Sequence, residues 1–195
     1  VRREEIVGGL LRVMATRGYG GATIAQIADE AGLPAGIVHY HFENKKEILV
    51  AVLGRLSRII QDRYVRRAAG VTETRGRVRA WIDAHVALGP DADVQAMACW
   101  VAIGAEALTD RVVRLEYEKV LIRDRETLEE LVRAALRAEK RETRGARSIA
   151  IALLSAVQGA FQVGCAAPGT IAPGSMAPLL RRIADGLLDA EARSR

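Results

Sequence analysis

Residues 23–45 read TIAQIADEAGLPAGIVHYHFENK, and this stretch decides the fold. Thr23 stands where a helix N-cap belongs, its hydroxyl placed to accept from a free backbone N–H of the first turn. Ile24, Ile27, Ala28 and Ala31 recur at three- and four-residue spacing, the apolar stripe of a helix that faces a core. Gly32 falls where a helix ends in the left-handed conformation. Pro34 falls at the start of the next helix, where a missing N–H costs nothing. Small Ala28 lets the two helices cross closely. Val38 and Phe42, four apart, are expected to point inward. Two short helices joined by a tight turn make a helix-turn-helix, whose second helix is the element that enters a major groove.

On either side the chain continues as helices. A first helix over about 3–17 would bury Ile6, Leu10, Val13 and Met14, with Gly18, Gly20 and Gly21 closing it around Tyr19. Glu43-Asn44 starts a fourth helix that runs to about Ala68 on Ile48, Leu49, Val52, Leu53 and Leu56. The Thr- and Gly-rich segment 70–76 is a boundary. Beyond it the pattern predicts a helix near 77–88, a break at Gly89-Pro90-Asp91 and a helix near 94–108. Thr109-Asp110 then cap a long charged helix to about Lys140, followed by helices over 146–166 and 176–190 with a Gly- and Pro-rich loop between them. The expected fold is all-α: a three-helix headpiece over 1–45 and a larger helical domain over 46–195 for effector binding and dimerisation.

Composition agrees with helices throughout, with five Pro and 4% aromatic residues in 195. Cys99 and Cys165 sit in apolar stretches without paired spacing and read as small reduced core residues of a cytoplasmic protein. The net charge of +5 does not itself argue for nucleic acid, because residues 1–50 hold six basic and six acidic side chains. Position argues instead: Arg2 and Arg3 open the first helix and Lys45 and Lys46 open the fourth, places able to reach a phosphate backbone. Arg55, Arg58, Arg63, Arg66 and Arg67 read as a solvated helix face.

The motif resembles that of the TetR family of transcriptional regulators. The matching residues are Thr23, Ile27-Ala28, Ala31-Gly32-Leu33, Gly36, Val38, His41-Phe42 and Lys45; Pro34 stands where Ser is commoner and His39 where Tyr is commoner. The resemblance implies that Ala35, Gly36, Ile37, His39 and Tyr40 face bases of a double-stranded operator, and that Thr23, His41 and Lys45 touch phosphates. Ala35 or Ile37 suits a thymine methyl, and His39 a purine N7 or a phosphate. With few long polar side chains on that helix, phosphate contacts and DNA shape are expected to carry much of the affinity. His39 and His41 flank Tyr40, but an i, i+2 pair on a helix diverges, so no metal is expected.

The stretch 149–167 carries no charge and is long enough for a membrane span. Ser155, Gln158 and Gln162 on one face would be costly in hydrocarbon, so no membrane partner is expected. Together with Leu179, Leu180, Ile183 and Leu187 this helix is expected to pair with a second copy, two helices from each chain forming a four-helix homodimer interface, as in similar proteins. For a small-molecule effector, Glu106 is the one carboxylate in an apolar helix with Trp100 and Ile103. Trp81, His85 and Trp100 supply aromatic walls, and Gln158 and Gln162 supply polar contacts. Such a site suits a cationic or amine-bearing ligand. No nucleophile–base pair, phosphate-cradling loop or HExxH is present, so neither catalysis nor a cofactor is expected. The expected protein is a homodimeric repressor released from its operator by ligand; the alternative is a dimer that binds DNA constitutively.

Overall fold

The computed structural model describes residues 1–86 and 94–193, and within them the chain is helical with no strand. The order is α1 (Arg2–Arg17), α2 (Ile24–Ala31), α3 (Ala35–His41), α4 (Lys45–Ala68), α5 (Thr74–Val86), α6 (Val94–Thr109), α7 (Arg111–Ala138), α8 (Ala146–Ala166), a 3₁₀ turn (Pro168–Thr170) and α9 (Met176–Ala190). The break expected at Gly89-Pro90-Asp91 lies outside the described residues.

The chain divides into two compact units. The first comprises Val1–Arg58 and Asp93–Lys119, so it holds α1–α3, the first half of α4, α6 and the start of α7. This grouping runs past residue 45 because Ile48, Leu49, Val52, Leu53 and Leu56 of α4 are all buried, their apolar stripe continuing the headpiece core. That core also takes Ile6, Leu10 and Val13 from α1, Ile27 and Ala28 from α2, Val38 and Phe42. α6 packs on α1, where the Cys99 thiol donates to Leu11 O.

Local chemistry explains the short helices. The Thr23 hydroxyl accepts from Gln26 N–H and the Gln26 amide oxygen accepts from Thr23 N–H, a reciprocal capping box. Gly32 ends α2 with φ 65°, a left-handed conformation that glycine takes without strain. Pro34 is the N-cap of α3, one residue ahead of the helix it opens. Asn44 Oδ1 caps α4 by accepting from Glu47 N–H. Gly9 is demanded by packing, since a Cβ there would lie 2.6 Å from Ile27 O where α1 crosses α2. Gly9→Ala should therefore cost about 1–3 kcal/mol of stability, read as a lowered midpoint in urea; an unchanged midpoint would show that the crossing is not tight.

The second unit comprises Ile59–Ala92 and Val120–Arg195. α5 packs on α8 and α9, burying Trp81 and Ile82 with Leu153, Val157 and Phe161 of α8 and Leu180, Ala184 and Leu188 of α9. Leu180 thus belongs to this chain's own core and not to the outer face on which it was expected; Leu179 and Ile183, offset around the same helix, are exposed. An ionic network closes one end of the unit. Arg75 bonds Glu139 and reaches Asp189 at 2.7 Å, and Arg141 bonds Glu139 at 3.2 Å and the carbonyls of Asp189 and Glu191. Arg75 and Arg141 hold the Glu139 carboxyl below its ordinary range. A carboxyl depressed on folding contributes stability above its unfolded pKa and loses it as pH falls through the folded value. Arg75→Ala should accordingly destabilise by about 1–3 kcal/mol near neutrality, with the deficit shrinking as the medium is acidified below the carboxylate range. Melting curves of both proteins at neutral and acid pH test this; a deficit independent of pH would contradict it.

Candidate nucleic-acid interface

α3 is held by its inner face and shows the outer one. Val38 and Phe42 are buried, while Ala35, Gly36, His39 and Tyr40 are exposed, Tyr40 at 83%. These four recur at i, i+1, i+4 and i+5, so a helical turn gathers them on one face. His39 stands within this face. Ile37 and His41 share a flank, half-buried, with the Tyr40 and His41 rings edge to face at 5.1 Å between centroids.

Several cations around this face are already engaged. Arg3 lies over the Phe42 ring at 4.0 Å and donates to His41 O at 2.8 Å, capping the end of α3. The Lys45 ammonium donates to Tyr19 O at 2.9 Å and Ala22 O at 2.8 Å, and lies 4.3 Å from the Tyr19 ring centroid. Two of its three protons thus tie the turn before α2 to the head of α4, leaving one for a phosphate. Thr23 uses its hydroxyl oxygen in the capping box and keeps its O–H proton free to donate. No spacing rule could have disclosed the Lys45 contacts, because its acceptors are backbone carbonyls more than twenty residues earlier.

The residues expected at an effector site fall in different units. Trp100, Ile103 and Glu106 belong to the first. Trp100 lies 5.4 Å from the Tyr117 ring and Ile103 is fully buried. Glu106 shares the face of α6 that carries Cys99, seven residues back, and its charge helps to raise the Tyr19 phenol to about 12, after burial and together with Asp110. Its carboxylate therefore bears on the Tyr19 turn. Trp81, His85, Gln158 and Gln162 belong to the second unit. His85 is 5% exposed and stacks on Trp81 at 3.8 Å, its Nδ1 donating to Trp81 O at 2.8 Å because a carbonyl only accepts. Its Nε2 stands 3.8 Å from Asp124 Oδ2. Asp124 was not foreseen, since nothing distinguishes it from the other charges of α7. Gln158 is half-buried and Gln162 exposed. Among the described residues no group of three or more His, Cys, Asp or Glu is placed to hold a metal ion.

α8 is the one described helix long and apolar enough to cross a bilayer by length and composition. Its outer side carries exposed Ile151, Ser155, Gly159 and Val163, and α9, which packs on α8, carries exposed Leu179 and Ile183.

A helix-turn-helix anchored from behind, with its second helix bare, defines a DNA-binding regulator of transcription. The chain belongs to the tetR family of bacterial regulatory proteins, whose model matches residues 6–52. It is 27% identical over 175 residues to the HTH-type transcriptional regulator BetI of Burkholderia ambifaria, covering 88% of this chain and 86% of that protein. With the BetI of Rhizobium meliloti identity is 30% over 114 residues, so the matched part spans 58% of this chain and about half, 56%, of that relative. The crystal structure of a putative transcriptional regulator from Saccharomonospora viridis in complex with choline has the same fold, with TM-score 0.79, 22% identity and 98% of each chain covered.

Proposed function

We propose that this chain is a cytoplasmic homodimeric repressor that holds a double-stranded operator through α3 and lets it go when a small molecule binds. The observation that carries the DNA half is the bare face formed by Ala35, Gly36, His39 and Tyr40 on a helix locked by Val38 and Phe42. That face is flat and small at one end and aromatic at the other, suited to pressing into a groove. Thr23, His41 and Lys45 would meet phosphates beside it, and Ile37 would lie along one groove wall. The exposed apolar surface of α8 and α9 supports a second copy, with two heads set about one helical turn, 34–36 Å, apart. Selection of duplexes from a random-sequence pool tests this: two half-sites in inverted repeat about one turn apart are expected, and recovery of no sequence would remove the reading.

For the ligand, the similar Saccharomonospora protein is described as a complex with choline, which favours a cation. In this chain Asp124 Oδ2 lies 3.8 Å from Nε2 of the buried His85 ring, which itself stacks on Trp81. Glu106, which lies in the other unit and whose charge bears on the Tyr19 phenol, is assigned no part in it. A carboxylate beside aromatic side chains suits a small organic cation. Millimolar choline should raise the melting temperature of the wild type and of Glu106→Gln, and raise that of Asp124→Asn much less. Equal shifts in all three would place the cation elsewhere; no shift with any small cation would favour the constitutive dimer.

A further inference from the structure

Two lysines open α4, at the end of a helix where the backbone dipole is positive and cations are disfavoured. Each has acquired electron-rich partners. Lys45 is held by the carbonyls of the Tyr19 turn. Lys46 Nζ lies 2.6 Å from Asp110 Oδ2. The same carboxylate caps α7, its Oδ1 accepting from Val112 N–H at 2.8 Å and Val113 N–H at 3.1 Å. Its two oxygens therefore do different things, and the one facing Lys46 is not needed for the cap. Lys46 holds the Asp110 carboxyl below its ordinary range, and Val113 N–H adds to that. The other charges nearby do not replace it. Glu47 is paired with Arg3 and the Glu43 N–H, and the Tyr19 phenol, pushed up to about 12, is neutral at physiological pH.

We infer that Asp110 occupies the Lys46 ammonium in place of a DNA phosphate, so that the corner between α6 and α7 restrains operator binding electrostatically. The inference rests on the DNA-binding reading above and adds a regulator to it. Lys46 follows the end of α3 by five residues, in the first turn of α4, a place from which an ammonium can reach a phosphate backbone. Carboxylate and phosphate compete for one ammonium, and any displacement of the α6–α7 corner from α4 shifts the balance toward DNA.

Asp110→Asn isolates the charge, because asparagine caps a helix as well as aspartate does. The probe is the labelled duplex that the wild type recovers from a random pool, titrated by anisotropy across a salt series. The variant should bind about two- to fivefold tighter, with a log K against log salt slope steeper by up to about 0.9, the mark of one added phosphate contact. Lys46→Met in the Asp110→Asn background should abolish both gains. Glu106→Gln should leave slope and affinity at the wild-type values. Melting curves confirm that each protein is folded; should Asp110→Asn not fold, Asp110→Ser, which keeps a capping oxygen without the charge, takes its place with the same expected gains, and wild-type affinity and slope in it would overturn the inference. A recovered duplex bound by Asp110→Asn with wild-type affinity and slope overturns the inference alone. Failure of the wild type to recover any duplex removes the DNA reading and this inference with it.

Discussion

Gly36→Leu is expected to lower operator affinity by roughly 100-fold or more, toward sequence-independent binding, while leaving the chain as stable as the wild type or slightly more so. The fold itself has no use for a glycine at this position. Gly36 is not among the residues with positive φ, and a Cβ built on it meets nothing within 4 Å. An ordinary helical residue would gain up to about 1 kcal/mol in propensity over glycine. A residue that weakens its helix and relieves no contact inside the chain has its reason outside it. On the exposed face of α3 that reason is close approach of the backbone to a duplex. A leucine side chain there would act as a wedge, lifting Ala35, His39 and Tyr40 from the base edges together. Gly36→Ala should fall between the two. Anisotropy titration and thermal melts decide it: leucine binding within threefold of wild type, or a lowered melting temperature, would show that the glycine serves the fold after all.

The contrast with Gly9 shows what a sequence discloses and what it does not. Both glycines lie inside helices and look alike in the sequence; a Cβ on Gly9 would lie 2.6 Å from a backbone carbonyl oxygen, and one on Gly36 would meet open space. Patterns that depend on neighbours along the chain were legible. The Thr23 N-cap, left-handed Gly32 and the limits of α8 and α9 all follow from local hydrogen bonding or an abrupt change in polarity. The inward turn of Val38 and Phe42 followed from spacing alone. Charges were another matter. The sequence offers Lys45 to a phosphate and Glu106 to a ligand, each as a charge in a conspicuous place, and says nothing of their neighbours within the chain. In the fold each bears on the turn at Tyr19, which periodicity cannot place against α4 or α6. Asp110 was legible as a cap, since capping is local; its hold on Lys46, 64 positions away, was not. The apolar stripe of a helix says that a face is covered, and tertiary packing alone says by what. Leu180 and Leu179 are adjacent, and only the first is covered by this chain.

The same reasoning sets the second large effect. Ile183→Arg should convert a dimer into a folded monomer and lower operator affinity on the order of 10²–10⁴-fold. Ile183 is 41% exposed and Leu179, one turn earlier, 46% exposed, so neither is held in the core of its own chain. α8, which packs on α9, presents Ile151 and Val163, with Gly159 and, on α9, Gly186 leaving room for another helix to lie close, since a Cβ at either would meet nothing within 4 Å. In a two-fold interface each residue meets its own counterpart or a near neighbour, so one arginine introduces two like charges into a surface that must shed water. The fold of the single chain loses little, because the side chain replaced already faces solvent. The operator loses the second head, and with it the effective concentration that makes two weak grips one strong one. Sedimentation equilibrium reads the mass, and anisotropy on full and half sites reads the affinity; the half-site affinity should be unchanged. A variant that stays dimeric with full affinity would mean that this apolar face covers something other than a second copy. Sedimentation with lipid vesicles would then ask whether α8, long and apolar enough to span a bilayer, meets lipid instead.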